Sequence, residues 1–151
     1  MPDIVPVEVR SRMMANIRSR DTKPELLLRR GLHGLGFRFR LHARDVPGHP
    51  DLVFPRWRAA LFAHGCFWHG HDCHLFRWPS TRDDFWKAKI ERNRMVDART
   101  TAALTAAGWR QGVVWECALK GRERLPIETV LTACTDWLQS ETPRFEFRGK
   151  A

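Results

Sequence analysis

The sequence predicts an α/β fold, a mixed β-sheet covered by helices. Three observations predict it. Two short apolar runs, DLVF at 51–54 and AALFAH at 59–64, are separated by only Pro55 to Arg58, a hairpin connection. A long helix, about 82–107, is expected next, announced by a capping-box pattern at Thr81 and Asp84 and ended by Gly108. It leads to a third strand-length run, WRQGVVWE at 109–116. A hairpin, a helix and a further strand together imply a mixed sheet with helices on its faces.

The remaining elements follow in order. Residues 8–20 suit a basic helix, with Val9, Met13, Asn16 and Ile17 near one face. Asp21 or Thr22 then caps a second helix, with Pro24 and Glu25 in its first turn and a fade at Gly34 or Gly36. FRFRLH at 37–42 alternates apolar and basic residues, as a strand with one wet face does. PGHP at 47–50 is a turn, and 65–80, dense in Gly, Pro, His and Cys, is an irregular loop. Thr81 and Asp84 match a capping box for the long helix, which Gly108 ends. A last helix covers about 126–139, and the tail from Glu141 is expected to be polar and frayed. The 151 residues fit one domain: a basic N-terminal helix at about 8–20, a core at about 22–140 and a tail at 141–151.

Charge narrows the partner. There are 26 Lys and Arg against 17 Asp and Glu, so the formal charge is +9, the sign that suits a polyanion such as nucleic acid. Arg outnumbers Lys, which suits bidentate phosphate contact. The plainer alternative is a basic protein with a solvated surface. Seven Trp and nine Phe with no Tyr make an odd aromatic set; some Trp must serve the core, and others can stack on bases. No apolar run approaches the roughly 20 residues of a membrane span, and the first ten residues lack a secretory pattern. The reading is a soluble, cytoplasmic protein with no membrane partner.

Within the loop, Cys66, His69, His71 and Cys73 fall in a tight cluster, and Cys117 ends a later strand. Zinc prefers four tetrahedral thiolate and imidazole ligands, and Cys66, His71, Cys73 and Cys117 make a Cys3His set. The alternative is that the thiols are buried small residues. Cys134, beside Leu131 and Trp137, is read as core, and His42 and His74 as solvent-facing.

A second centre can form around Asp51. It starts an apolar strand, and a hairpin brings it near Ala63 and His64. One carboxylate, a backbone carbonyl and waters make a natural Mg2+ shell. His69 can serve as the base of a phosphodiester cleavage. Glu25, and Asp97 on a helical face with Trp86, Ile90 and Asn93, can support that site, although each has a plain alternative. Glu25 can complement its helix dipole, and Asp97 can pair with a nearby Arg.

Three stretches carry a family resemblance: PGHPDLVFPRWRAALFAHGCFWHGHDCHLF, TRDDFWKAKIERN and GWRQGVVWECALKGR. With RSRMMANIRSRDTKPE, they resemble the very-short-patch repair (Vsr) endonucleases of bacteria over about residues 10–122. The resemblance implies a restriction-endonuclease-like core, a PD-(D/E)-x-K variant. Pro50-Asp51 supplies the first half, and Phe62-Ala63-His64 stands where the usual acid and lysine are absent. It implies a Mg2+-dependent enzyme that nicks one strand 5′ to the thymine of a T:G mismatch left by deamination of 5-methylcytosine, in double-stranded DNA. It further implies a monomer that works in the bacterial nucleoid, with downstream repair proteins as further partners.

The implied roles are specific. Asp51 and the Ala63 carbonyl bind Mg2+, His69 is the general base, His64 assists at the phosphate, and Glu25 and Asp97 support. Cys66, His71, Cys73 and Cys117 hold a structural Zn2+; the choice of His71 for zinc and His69 for catalysis comes from the resemblance. Phe67, Trp68 and Trp86 form an aromatic wedge, and Met14, Lys89 and Asn93 lie near the mispair. A wobble pair stacks poorly, so a wedge enters there at least cost. Ala63 stands where Thr is familiar, and Gly70 and Asp72 interrupt what can be a continuous His run. Two other readings stay open: a related nuclease with a different DNA target, and a non-catalytic zinc-containing DNA-binding module.

Overall fold

The computed structural model describes residues 21–150. The helix expected at 8–20 and Met14 lie outside the described residues. The order is α1 (Lys23–Gly34), β1 (Arg40–Leu41), β2 (Leu52–Phe54), β3 (Ala59–His64), α2 (Asp83–Ala106), β4 (Arg110–Trp115), α3 (Ile127–Leu138) and β5 (Arg144–Phe147). The strands form one five-stranded sheet in the order β1-β2-β3-β4-β5. The β1, β2 and β3 pairings are antiparallel, whereas β3 to β4 and β4 to β5 are parallel. The sheet is therefore mixed, as the hairpin–helix–strand order predicts.

Alternation along the strands sorts side chains onto two faces. Leu52, Phe54, Ala59, Leu61 and Val114 point into one cluster, which α1 closes with Leu28 and Leu32 and α3 with Val130, Cys134 and Leu138. Val53, Ala60, Phe62, Val113 and Trp115 face a second cluster, which Leu104 of α2 closes. Cys134 is fully buried, as expected of a core thiol. Among the described residues no helix is long and apolar enough to cross a membrane.

Thr22 caps α1, accepting from the Glu25 amide, and Pro24 sits in the first turn as expected. Three expectations are corrected. The capping box of Thr81 and Asp84 does not form. Arg82 occupies the cap in a left-handed backbone (φ 56°) without a side-chain cap bond, and the first-turn acids Asp83 and Asp84 meet the helix dipole instead.

The 37–42 strand shrinks to Arg40–Leu41. Its alternation is real, since Phe37 and Phe39 pack on the first cluster. However, His42 turns to φ 49°, which ends the ladder.

The tail is not frayed. Arg144–Phe147 is strand β5, because Phe145 and Phe147 alternate onto the first cluster and Phe145 stacks on Trp137 at 5.3 Å. The alternation in RFEF was the available signal.

Gly112 sits in the middle of β4 because the strand passes directly under Trp137. A Cβ there would lie 2.7 Å from the indole and 3.0 Å from Leu61. Gly112→Ala is expected to overpack this contact and lower stability by about 1–3 kcal/mol. Urea denaturation checks it, and a variant as stable as wild type would show that Trp137 yields freely.

Candidate active site and metal centre

The sheet register assembles both centres. In β3–β4, His64 pairs with Trp115. Each strand then runs two residues further to a cysteine, Cys66 and Cys117, both fully buried. The loop turns back: the His71 amide bonds the Cys66 carbonyl at 2.9 Å, and the Cys66 amide bonds Glu116 Oε1 at 3.2 Å. Potential ligand atoms of Cys66, His71, Cys73 and Cys117 come within 4.8 Å of one another. His71 Nδ1 faces Cys117 Sγ at 3.7 Å. Burial, with neighbouring thiols adding to it, pushes the Cys66 and Cys117 thiols up, and burial holds His71 below its ordinary range. A soft divalent cation relieves that crowding, and the donor set fits one.

Asp51 lies one residue before β2. Its Oδ2 accepts the Ala63 amide at 2.7 Å, joining the hairpin strands as the sequence implies. Glu25 approaches from the first turn of α1 and is 1% exposed. Burial, offset by the Ala63 N–H and reinforced by the charge of Glu25, pushes Asp51 up to about 7. A buried carboxylate beside a half-buried one calls for a cation. Part of that need is met by Arg29, whose Nη1 reaches Glu25 Oε2 at 2.9 Å.

His42 is the residue that sequence reasoning missed. Expected in solvent, its ring is largely buried, with Nε2 at 3.1 Å from Glu25 Oε2 and Nδ1 at 4.0 Å from Asp51 Oδ1. Its left-handed backbone aims it there, and no periodicity signals such a turn. His74 is corrected likewise: its ring is largely buried, 3.3 Å from Glu123 Oε1.

The other histidines converge. His64 and His69 stack at 3.8 Å, their planes nearly parallel at 7°. His69 Nδ1 lies 2.6 Å from Asp97 Oδ2, so Asp97 pairs with a histidine rather than an Arg. The carboxylate accepts, which places the proton on Nδ1 and leaves Nε2 of a neutral ring as an acceptor. Burial, then the proximity of His69, holds His64 well below the ordinary histidine range.

Phe67 meets Trp68 at 5.1 Å and Trp86 at 5.3 Å, forming a half-buried aromatic cluster. Asn93 holds the loop there, its Nδ2 donating to the Trp68 carbonyl at 2.7 Å. Lys89 lies one turn earlier on α2. Glu25, Asp51, His64, His69, Asp97 and the three aromatics all line one open cleft of about 1350 Å³.

Comparison with known proteins fits this arrangement. The family described as "DNA mismatch endonuclease Vsr" matches residues 2–75. The DNA mismatch endonuclease Vsr of Escherichia coli K12 is 43% identical over 141 residues, 93% of this chain and 90% of that protein. The chain belongs to the Vsr family. Another relative, the type II nicking enzyme V.XorIIP of Xanthomonas oryzae, is 52% identical over 119 residues, 79% of this chain and 88% of that one. The type II nicking enzyme V.NmeAIP of Neisseria meningitidis is 41% identical over 129 residues, covering 83% and 92%. As a Vsr-family member the chain is a DNA endonuclease, and a non-catalytic binding module is set aside.

The carboxylate pair yields a direct check on this Vsr-family site. In the metal-free protein, Glu25→Gln removes a negative neighbour, so the Asp51 pKa is expected to fall below about 7 yet stay above that of a free aspartate, because burial remains. Carboxyl carbon shifts followed by NMR titration report it. An unchanged value would mean that Glu25 does not act on Asp51.

Proposed function

We propose that this enzyme nicks one DNA strand 5′ to the thymine of a T:G mismatch, the lesion left by deaminated 5-methylcytosine, and so initiates very short patch repair. The observation that carries the reading is the convergence, in one cleft, of the Asp51–Glu25 carboxylates, the His64–His69–Asp97 set and the Phe67–Trp68–Trp86 cluster. The core is a variant of the restriction-endonuclease-like PD-(D/E)-x-K fold, with Asp51 as its retained acid.

Asp51 and the Ala63 backbone carbonyl hold Mg2+ in this reading, and the ion supplies a polarised water and neutralises phosphate charge. Ala63 serves because the contact is a carbonyl. Asp97 orients His69 through Nδ1, leaving Nε2 to take the proton of the attacking water. His64, kept neutral by burial, offers a hydrogen bond toward the phosphate. Glu25 and His42 hold Asp51 in place. Cys66, His71, Cys73 and Cys117 hold Zn2+, which shapes the loop bearing Phe67 and Trp68. These rings, with Trp86, enter the duplex where the wobble pair stacks poorly, and Lys89, Asn93 and Met14 lie near the mispair. The protein acts as a monomer in the cytoplasm, at the nucleoid, and hands the nick to downstream repair proteins.

A nicking assay on T:G duplexes with varied flanks tests the reading. Wild type is expected to cut one strand only with Mg2+ present, Asp51→Ala to abolish cutting, and His69→Ala to slow it by about 10²–10⁴-fold, the usual worth of a general base. Perfectly paired DNA cut as fast as mismatched DNA would replace the mismatch with another target.

A further inference from the structure

Trp115 touches three histidines at once. Its indole stacks on His71 at 4.0 Å and 9°, and meets His64 edge-on at 5.3 Å and His69 at 6.0 Å. One ring thus abuts a cluster ligand and both histidines at the reacting end of the cleft. Its indole N–H is held by a residue from the C-terminal strand: Trp115 Nε1 donates to Glu146 Oε1 at 2.6 Å.

The sheet explains why Glu146 can do this. In the β4–β5 pairing Glu146 lies opposite Val113, two residues before Trp115. It is therefore the diagonal neighbour of Trp115 on the same face, within reach of a long side chain. The backbone that carries Glu146 is itself held on both sides. Phe145 and Phe147 point to the opposite face and pack on the core, so β5 cannot rotate without exposing both rings. Beyond it, Arg148 bonds the side chain and carbonyl of Asp72 at 2.7 and 2.9 Å, and the Gly149 amide reaches Cys117 Sγ at 3.3 Å. Gly149 must be glycine, since a Cβ would lie 2.3 Å from the Cys117 carbonyl oxygen.

We propose that Glu146 is a positioning residue of the nicking reaction, fixing through Trp115 the stacked pair His64 and His69. Glu146 is not among the residues that line the cleft. It sets the tilt of the indole, and the indole is the wall against which the two imidazoles stand. Asp97 holds one end of His69; Trp115 limits the plane of the ring. The proposal rests on the reading in which His69 takes the proton of water.

The test uses zinc-loaded full-length protein, in excess over a T:G duplex with Mg2+, in single turnover. Glu146→Ala and Trp115→Phe each remove the hydrogen bond, and the phenylalanine keeps an aromatic wall should the alanine variant fold poorly. Both are expected to lower the cleavage rate constant by about 10–100-fold, the scale of a 1 Å misplacement of a catalytic group. Duplex Kd and one zinc per chain are expected to persist. Glu146→Gln, whose amide oxygen still accepts, is expected to return the rate to within about threefold of wild type. Wild-type cleavage by Glu146→Ala, no rescue by glutamine, or a loss that follows zinc release or weaker duplex binding would overturn the proposal. His69→Ala run alongside separates the two ideas: if it cleaves as wild type does, the assignment of the base falls, whatever Glu146 shows.

Discussion

The parallel pairing of β3 with β4, with His64 beside Trp115, is the constraint on which the rest of the structure depends. It places the two strand ends side by side, so that Cys66 and Cys117, each two residues further on, meet beneath the loop. A slip of one residue would send His64 and Trp115 to opposite faces. It would part the thiols and unstack His71 from its indole. The fully buried residues Ala60 and Leu61 of β3 and Val114 of β4 hold the register, because a slip would carry them to the wrong side. Truncating one buried leucine in such a core costs about 2–5 kcal/mol.

Built on that register, the 64–73 loop divides its residues by direction. Cys66, His71 and Cys73 turn inward to Cys117. His64 and His69 stack at the cleft, and Phe67 and Trp68 meet Trp86 across from α2. Cluster and cleft are therefore neighbours sharing one backbone, and what tightens one steadies the other. Both concentrate charge or thiols that burial opposes: Asp51 is pushed up beside Glu25, and Cys66 beside its fellow thiols. Each is an arrangement whose natural counterpart is a cation.

Much of this was legible in the residues. DLVF and AALFAH read as strands because apolar runs bounded by a Pro turn have few other uses, and the long helix expected at about 82–107 runs from Asp83 to Ala106 although the capping signal that announced it does not form. The proximity of Asp51 to Ala63 followed from the hairpin alone. What escaped had non-local or backbone causes. Strand β5 hid in a polar tail because only Phe145 and Phe147 marked it, and its value lies in a core made by distant elements. His42 looked like a solvent residue because a single left-handed turn sends it inward. The Thr81 box failed because Arg82 took the left-handed cap. The choice between His69 and His71 was beyond spacing, since both lie within reach of the cysteines; the structure shows His69 held by Asp97 and His71 by Cys117 and Trp115.

The division of labour between His69 and His71 governs both centres, and anomalous diffraction at the zinc edge from crystals of the protein reads it out. One zinc peak is expected, tetrahedrally surrounded by Cys66, His71, Cys73 and Cys117, with no zinc at His64, His69 and Asp97. A zinc ion bound by His69 and Asp97, or a cysteine cluster without zinc in protein that still nicks DNA, would contradict it.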